Sequence, residues 1–148
     1  MRAILTAALI GCSILATAAM ADEYMVVPKA EQEFKPGPGG LYNQVLLLNH
    51  KNAQANITTR DKSGQAEVHT DWEDHIFIME GECTMILGGT AQNGKSTGPG
   101  ETRGDSIKGG KSFALHAGDY LYIPVNTPHQ MMLAAGKAVK YAVVKNHP

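Results

Sequence analysis

Cysteine is scarce in this sequence, and that scarcity limits how the fold can be held together. Only Cys12 and Cys83 occur among the 148 residues, and Cys12 lies in an apolar N-terminal segment with the features of an export signal. Once that segment is removed, Cys83 has no intramolecular partner, which excludes a disulfide framework. The fold must therefore depend on its hydrophobic core, and we expect Cys83 to be a small buried strand residue rather than a reactive thiol.

An excess of charge of either sign is also lacking. The chain has 13 Lys and Arg residues against 14 Asp and Glu residues, which gives a formal net charge of −1. Proteins that bind nucleic acid or anionic membrane surfaces usually present a concentrated positive charge. The composition therefore predicts that neither kind of partner is bound.

The N-terminus has the pattern of a bacterial signal peptide. Arg2 precedes an apolar run over residues 3–19, and residues 19–21 have the small-x-small pattern of a cleavage site. We expect residues 1–21 to be removed, which would leave a periplasmic or secreted protein without membrane attachment. Two alternatives remain, an uncleaved membrane anchor and a lipoprotein that is lipidated on Cys12 at the end of Leu-Ile-Gly-Cys (9–12).

Residues 22–148 form one predicted domain of strands and turns, with no convincing helix. Short β-rich runs separated by polar or Gly-containing links occupy residues 44–50, 55–60 and 65–70. Residues 75–89 have the pattern of a hairpin around Glu80-Gly81, residues 112–125 form two runs hinged at 117–118, and residues 129–145 read as a hairpin turned at 135–137. Strands at this spacing are typical of an all-β sandwich or barrel.

The segment 88–110 is Gly-rich, polar and without periodicity, which predicts a long irregular loop, mobile over residues 90–108. Residues 89–96 match the phosphate-binding pattern G-x-x-x-x-G-K-S. That pattern requires a helix that begins at Lys95, because the amides of its first turn hold the phosphates. Three glycines and a proline follow instead, so we interpret the match as accidental and expect no nucleotide to bind.

Two stretches carry histidines and acids next to apolar strands. In residues 118–130, Gly118, Pro124, Asn126 and His129 follow the spacing G-x5-P-x-N-x2-H. This resembles the second motif of the cupin superfamily, in which glycine usually occupies the position of Asn126. Asparagine also tolerates the positive φ that this turn position requires.

The stretch "HTDWEDHIFIMEG", residues 69–81, resembles a degenerate first cupin motif. His69 matches the first histidine of the motif, Gly81 the final glycine, and Asp74 the glutamate position, while Asp71 stands near the second histidine position. Taken together, the resemblance extends from about residue 41 to residue 144. It implies a double-stranded β-helix barrel whose two motifs supply ligands to one metal at the barrel mouth.

The resemblance implies the ligand set His69, Asp71, Asp74 and His129 for a divalent ion, Fe, Mn, Zn or Ni. Strand alternation puts His69 and Asp71 on one face, and two imidazoles with one carboxylate leave open positions for a substrate. His75 is the alternative to Asp74, on the opposite strand face. We expect about one ion per chain, released as the pH falls below roughly 6 because imidazoles must be deprotonated to bind metal.

Several functions stay open at this point. The first is a metal-dependent isomerase, lyase or oxygenase that acts on a small polar molecule, and the second is a metal-free cupin that binds a small ligand. A third is an interaction domain that forms a homodimer through residues 23–27. The H-x-D pattern of His69 and Asp71, with His129 and with Lys140 as a carboxylate anchor, also fits an Fe(II)/2-oxoglutarate oxygenase. The candidate cavity residues are Trp72, Phe77, Tyr120, Tyr122 and Met131.

Overall fold

The computed structural model describes residues 25–148. The predicted signal segment 1–21, including Cys12, lies outside these residues, as does the start of the segment 23–27. The described part of that segment, residues 25–27, is not in a strand. Among the described residues, no helix has the length and apolar character needed to cross a membrane.

Thirteen strands and two short 3-10 helices make up the described chain, which confirms the all-β prediction. The 3-10 helices are Lys29–Glu31 and Pro38–Gly40. The strands are β1 (Lys35–Pro36), β2 (Asn43–Asn49), β3 (Ala53–Arg60), β4 (Ala66–His69), β5 (Glu73–Leu87), β6 (Thr90–Gln92), β7 (Lys95–Gly98), β8 (Glu101–Gly104), β9 (Ser106–Lys108), β10 (Lys111–His116), β11 (Tyr120–Ile123), β12 (His129–Met132) and β13 (Val139–Asn146).

The strands form one large curled antiparallel sheet in the order β1-β2-β3-β13-β5-β12-β4-β8-β7, with β10 and β11 also paired to β5. The remaining pair, β6 and β9, forms a separate two-stranded sheet. β12 and β13 do not pair with each other, so the predicted hairpin over residues 129–145 is wrong. β12 pairs with β4 and β5, whereas β13 lies between β3 and β5.

The predicted hairpin over residues 75–89 is also wrong, because β5 runs unbroken through Glu80 and Gly81. Gly81 has a φ of 79°, and a Cβ at this position would lie 2.1 Å from the carbonyl oxygen of Ala138. The bend that the glycine permits lets the first half of β5 pair with β13 and β11 and the second half pair with β10 and β12. Gly81 therefore does mark a change of chain direction, but the change is a bend within one strand and not a hairpin turn.

The core lies inside the curled sheet, where alternate residues of the long strands meet. It consists of Ile76, Ile78, Cys83, Met85, Leu115, Ile123, Met131, Val139, Tyr141 and Val143. Cys83 is buried and free, as expected, and burial raises the pKa of its thiol to about 11. The thiol is therefore protonated and unreactive at neutral pH.

The Gly-rich segment 88–110 differs from the predicted irregular loop, since it contains β6, β7, β8 and β9. Lys95 begins a strand and not a helix, so the helix N-terminus that phosphate binding requires is missing at that position. β8 pairs with β4 along its whole length, with His69 opposite Glu101 and Glu67 opposite Arg103. The far end of the segment is thus part of the sheet that carries the first motif.

Candidate functional site

Two histidines and two carboxylates meet on the inner face of the sheet. Glu67 and His69 alternate along β4 and so point to the same side, and His129 at the start of β12 is the register partner of Glu67. Asp74 enters this space from the start of β5. Ligand atoms of Glu67, His69 and His129 all lie within 4.8 Å of one another.

The Nε2 atoms of both histidines point at the carboxylates. His69 Nε2 lies 3.7 Å from a Glu67 oxygen and 3.5 Å from Asp74 Oδ2. His129 Nε2 lies 3.9 Å from the same Glu67 oxygen and 3.8 Å from the same Asp74 oxygen. The four side chains therefore surround one small space.

The Nδ1 atoms of both rings contact oxygen atoms that lie outside this space. His69 Nδ1 contacts Glu101 Oε2, and His129 Nδ1 lies 3.0 Å from the backbone oxygen of Thr127. When such a ring is neutral, an acceptor at Nδ1 favours the tautomer in which Nε2 carries the lone pair. The two rings are thereby oriented with Nε2 available to a common ligand.

Arg103 and Lys145 supply the positive charge around the cluster. Arg103 forms ion pairs of 2.8 Å with Glu67 and 2.9 Å with Glu101. Lys145, the register partner of Asp74 on β13, places its Nζ 3.0 Å from Asp74 Oδ1 and 2.8 Å from His69 Nε2. The ammonium group thus lies beside the atoms that would bind a metal ion.

Burial and charge move the pKa values of the two histidines in opposite directions. Burial alone would lower the pKa of His69, but hydrogen bonds to Asp74 and Glu101 outweigh it, even against the nearby Lys145 charge, and raise the pKa to about 9. Burial lowers the pKa of His129, so that ring is neutral at pH 7. The pKa of Asp74 falls to about 2 despite burial, because His69 and Lys145 stabilise the carboxylate.

A cavity of about 100 Å³ adjoins this cluster inside the barrel. Glu67, Asp74, His129 and Lys145 contribute to its wall, together with the apolar side chains of Ile76, Met85, Met131 and Val143. This volume suits a ligand of a few non-hydrogen atoms, well below the size of drug-like ligands.

Of the sequence-predicted metal ligands, the structure brings together His69, Asp74 and His129 and leaves out Asp71. Asp71 is exposed, and its carboxylate accepts a hydrogen bond of 2.9 Å from the neighbouring Thr70 hydroxyl. The expected alternation fails there because β4 ends at His69, so Asp71 belongs to a turn. The H-x-D triad of the oxygenase hypothesis is therefore not assembled. Lys140, the carboxylate anchor of that hypothesis, lies on the strand face opposite the inward-facing Tyr141 and forms an ion pair with Glu80.

His75 lies on the outer face of β5, as strand alternation from Asp74 requires. Its Nδ1 lies 2.7 Å from the Tyr120 hydroxyl, and its Nε2 lies 3.6 Å from Glu73. The Tyr122 hydroxyl donates to Glu73 over 2.8 Å. His75 is thus a member of a separate polar cluster and not an alternative ligand beside His69.

The candidate cavity residues also fall into two groups, one that lines the cavity and one that lies outside it. Met131 is among the residues that line the cavity. Phe77, Tyr120 and Tyr122 are about half exposed on the outer face, so their assignment to the cavity is wrong. Trp72 packs against His147, with ring centroids 3.8 Å apart, and is not part of the cavity wall.

Sequence reasoning missed Glu67, Glu101, Arg103 and Lys145. Strand alternation places Glu67, two residues before His69, on the same face of β4, so this pattern identifies Glu67. Glu101 and Arg103 lie in the segment expected to be irregular, and Lys145 is opposite Asp74 only through the pairing of β13 with β5. No local pattern in the sequence indicates those contacts.

Comparison with known proteins establishes the fold. No protein-family model and no curated protein sequence matches this chain. A predicted oxalate decarboxylase from Thermotoga maritima is similar in structure, with a TM-score of 0.62 and 16% identity over 84% of this chain and 100% of that chain. The polyketide cyclase RemF from Streptomyces resistomycificus has a TM-score of 0.61 and 14% identity over 84% of this chain and 80% of that chain.

The iron(II) form of HppE is also similar, with a TM-score of 0.59 and 16% identity over 85% of this chain and 62% of that chain. At these identities the likeness concerns the fold alone. These proteins are cupin barrels, which confirms the predicted double-stranded β-helix.

Proposed function

We propose that this protein is an exported cupin-fold protein that binds one divalent metal ion and binds or transforms a small polar molecule beside it. The observation that carries the proposal is that ligand atoms of the half-buried Glu67 and the buried His69 and His129 lie within 4.8 Å of one another. Two imidazoles and a carboxylate suit Fe, Mn, Zn or Ni and leave coordination positions free for a ligand. Asp74 is the second carboxylate within reach.

The residues fit such an ion. Ligand atoms about 2.0–2.2 Å from a tetrahedral metal ion are roughly 3.3–3.6 Å apart from one another. The Nε2–carboxylate separations here are 3.5 to 3.9 Å, so small side-chain rotations are enough. Both Nδ1 positions already have acceptors, which is the usual support of metal-bound histidines.

Elemental analysis tests the proposal directly. Protein prepared without chelators, and then reloaded separately with Fe, Mn, Zn and Ni, should retain about one ion per chain. Binding should weaken with falling pH, because protons compete for the imidazoles. The absence of stoichiometric metal under all four conditions would exclude the metal-dependent function.

A metal-free ligand-binding protein is the second candidate, and Lys145 favours it. Its ammonium group already neutralises Asp74 and contacts His69 Nε2, which is the role a bound cation would otherwise fill. In this case the cluster would be a set of internal ion pairs, and the cavity would hold an organic ligand without a metal.

Replacement of Lys145 separates the two candidates. If the site binds metal, Lys145→Met should raise metal affinity, because the competing ammonium is gone. If the cluster is an internal ion-pair network, Lys145→Met should bind no metal and should lower stability, since Asp74 loses its partner. Lys140→Met, which removes a lysine of the same strand from an exposed ion pair with Glu80, is the matched control.

Export rests on the signal-peptide pattern of residues 1–21. Sequencing the N-terminus of protein recovered outside the cytoplasm should begin at Asp22. A chain that still begins at Met1, or that begins at a lipidated Cys12, would contradict soluble export.

A further inference from the structure

Arg60 is a buried arginine at the end of β3, and its side chain points into the barrel. It alternates with Asn56 and Thr58 along β3, and all three residues line the cavity that Asp74 and His129 also line. Only 5% of Arg60 is exposed. A guanidinium is always charged in proteins, so this charge lies inside the barrel at every physiological pH.

The Arg60 guanidinium lacks a counter-ion within the described chain. Its Nε and Nη1 atoms are buried, and neither has a hydrogen-bond partner among residues 25–148. No carboxylate in that part of the chain forms an ion pair with it. Arg103, the other arginine of the described chain, instead forms ion pairs with Glu67 and Glu101.

The surroundings of Arg60 position the guanidinium without neutralising it. Its Cζ lies 5.1 Å from the centre of the Tyr42 ring. Gly64 leaves room for it, because a Cβ at that position would lie 2.3 Å from Nη1. An unpaired buried charge is costly, so a chain that keeps one in a cavity is expected to complete the pair with a ligand.

We propose that Arg60 binds the carboxylate of a small organic acid inside the barrel. The planar fork of the guanidinium matches a carboxylate, and the apolar side chains of Met85, Met131 and Val143 in the same cavity suit a short hydrocarbon part. The cavity volume of about 100 Å³ limits the ligand to a short chain. This inference deepens the proposed function, since it names the class of molecule that lies beside the metal site.

Arginine side-chain NMR tests the proposal on the unsubstituted protein. The sequence contains only Arg2, Arg60 and Arg103, so the Nε–H signals are few and can be assigned by substitution of Arg103. Metal-free protein is titrated with acetate and lactate, with acetamide and lactamide as neutral isosteres, and with phosphate and chloride. The Arg60 signal should shift with the carboxylates and stay unchanged with the amides.

A shift with acetamide equal to that with acetate would overturn the proposal, as would a response to phosphate or chloride alone or no response to any carboxylate. Because the titration is done with chelator present, it is independent of metal binding. If the protein binds no metal, the NMR titration still tests the carboxylate site. If it binds no carboxylate, the elemental analysis still tests the metal site.

Substitution gives a second readout. Arg60→Met should weaken acetate and lactate binding by about tenfold or more, because charge-assisted hydrogen bonds are lost. It should also leave the melting temperature of the ligand-free protein unchanged or raised, since an unpaired buried charge is removed. Lys111→Met, which removes an exposed charge from β10, is the control and should change neither quantity.

Retained carboxylate affinity in Arg60→Met would overturn the proposal. So would a lower melting temperature of that variant without ligand, because it would mean that the fold itself already stabilises the guanidinium. If Arg60→Met does not fold, Arg60→Lys is the replacement variant, because it keeps the positive charge but removes the planar fork of the guanidinium. The affinity of Arg60→Lys for acetate should fall, whereas the affinity of Lys111→Met should not.

Discussion

Asp74 and His75 are neighbours in sequence, yet they belong to two opposite kinds of site. Asp74 is buried and points inward to His69, His129 and Lys145, and the pKa of its carboxyl falls to about 2. His75 points outward to Glu73 and Tyr120. Both clusters combine histidine, carboxylate and hydrogen-bonding groups, so composition does not distinguish them.

Burial makes the difference. In the inner cluster His69, Asp74 and His129 are almost fully buried, so each depends on its protein partners for the stabilisation that water would otherwise give. In the outer cluster His75 keeps 30% of its side chain exposed, and the hydrogen bond from Tyr122 is the main cause of the lowered pKa of Glu73. An exposed ion pair of this kind adds little to stability.

The largest expected effect is on metal binding. His69→Ala and His129→Ala should each abolish stoichiometric binding, because each removes an imidazole ligand from the inner cluster. His75→Ala should leave the metal content unchanged, and Asp74→Ala should weaken binding more than His75→Ala does. Elemental analysis after metal reloading measures all four, and the reverse order for Asp74 and His75 would mean that His75 faces the barrel.

The next effect is on the stability of the metal-free protein. Asp74→Asn leaves Lys145 and His69 without their buried carboxylate, and loss of one partner of such a pair costs about 3 kcal/mol or more. Asp71→Asn is the matched control, because this exposed residue should change the free energy of unfolding by under about 0.5 kcal/mol. Denaturant unfolding with chelator present measures both, and equal effects would place Asp71 inside the cluster.

A smaller effect concerns pH. The pKa of His69 is about 9 in the folded protein and about 6.5 in the unfolded chain. Protonated His69 therefore stabilises the folded state fully below pH 6.5, and this stabilisation is lost as the pH rises through 9. The free energy of unfolding of metal-free protein should therefore fall by on the order of 2 kcal/mol over this interval. His69→Gln should remove this dependence, whereas His75→Gln should retain it.

The same pKa sharpens the expectation for metal release. Because His69 holds a proton up to about pH 9 in the metal-free protein, protons compete with metal well above the pH of 6 expected from unperturbed imidazoles. Metal affinity should therefore decline steadily from pH 9 to pH 6. An affinity that stays constant over this interval would contradict the assigned role of His69.

The smallest effect is expected in the Gly-rich segment, whose two ends differ. Lys95→Ala at the exposed end should change the free energy of unfolding by under about 0.5 kcal/mol, and the protein should not bind ATP. Glu101→Gln at the other end should lower the pKa of His69, which an NMR titration of the imidazole measures. ATP binding that is lost in Lys95→Ala would restore the phosphate-loop interpretation.

Most of the fold and part of the site could be predicted from the sequence. Short β-rich runs at regular spacing predicted the all-β class, and the resemblance of Gly118, Pro124 and His129 to a cupin motif implied the double-stranded β-helix barrel. These signals are local, because turns and strand periods depend on residues a few positions apart. Pairing is not local, so the unbroken course of β5 through Gly81 and the separation of β12 from β13 could not be predicted.

For the site, the sequence by itself determined that histidines and acids stand next to apolar strands, and the resemblance to the cupin motifs singled out His69 and His129. Only the tertiary structure decided which carboxylates join them. Asp71 is excluded because β4 ends before it, whereas Glu101 and Lys145 arrive from strands 32 and 76 residues away from His69. Such contacts follow from sheet register, and register is set by packing of the whole barrel rather than by any short stretch of the chain.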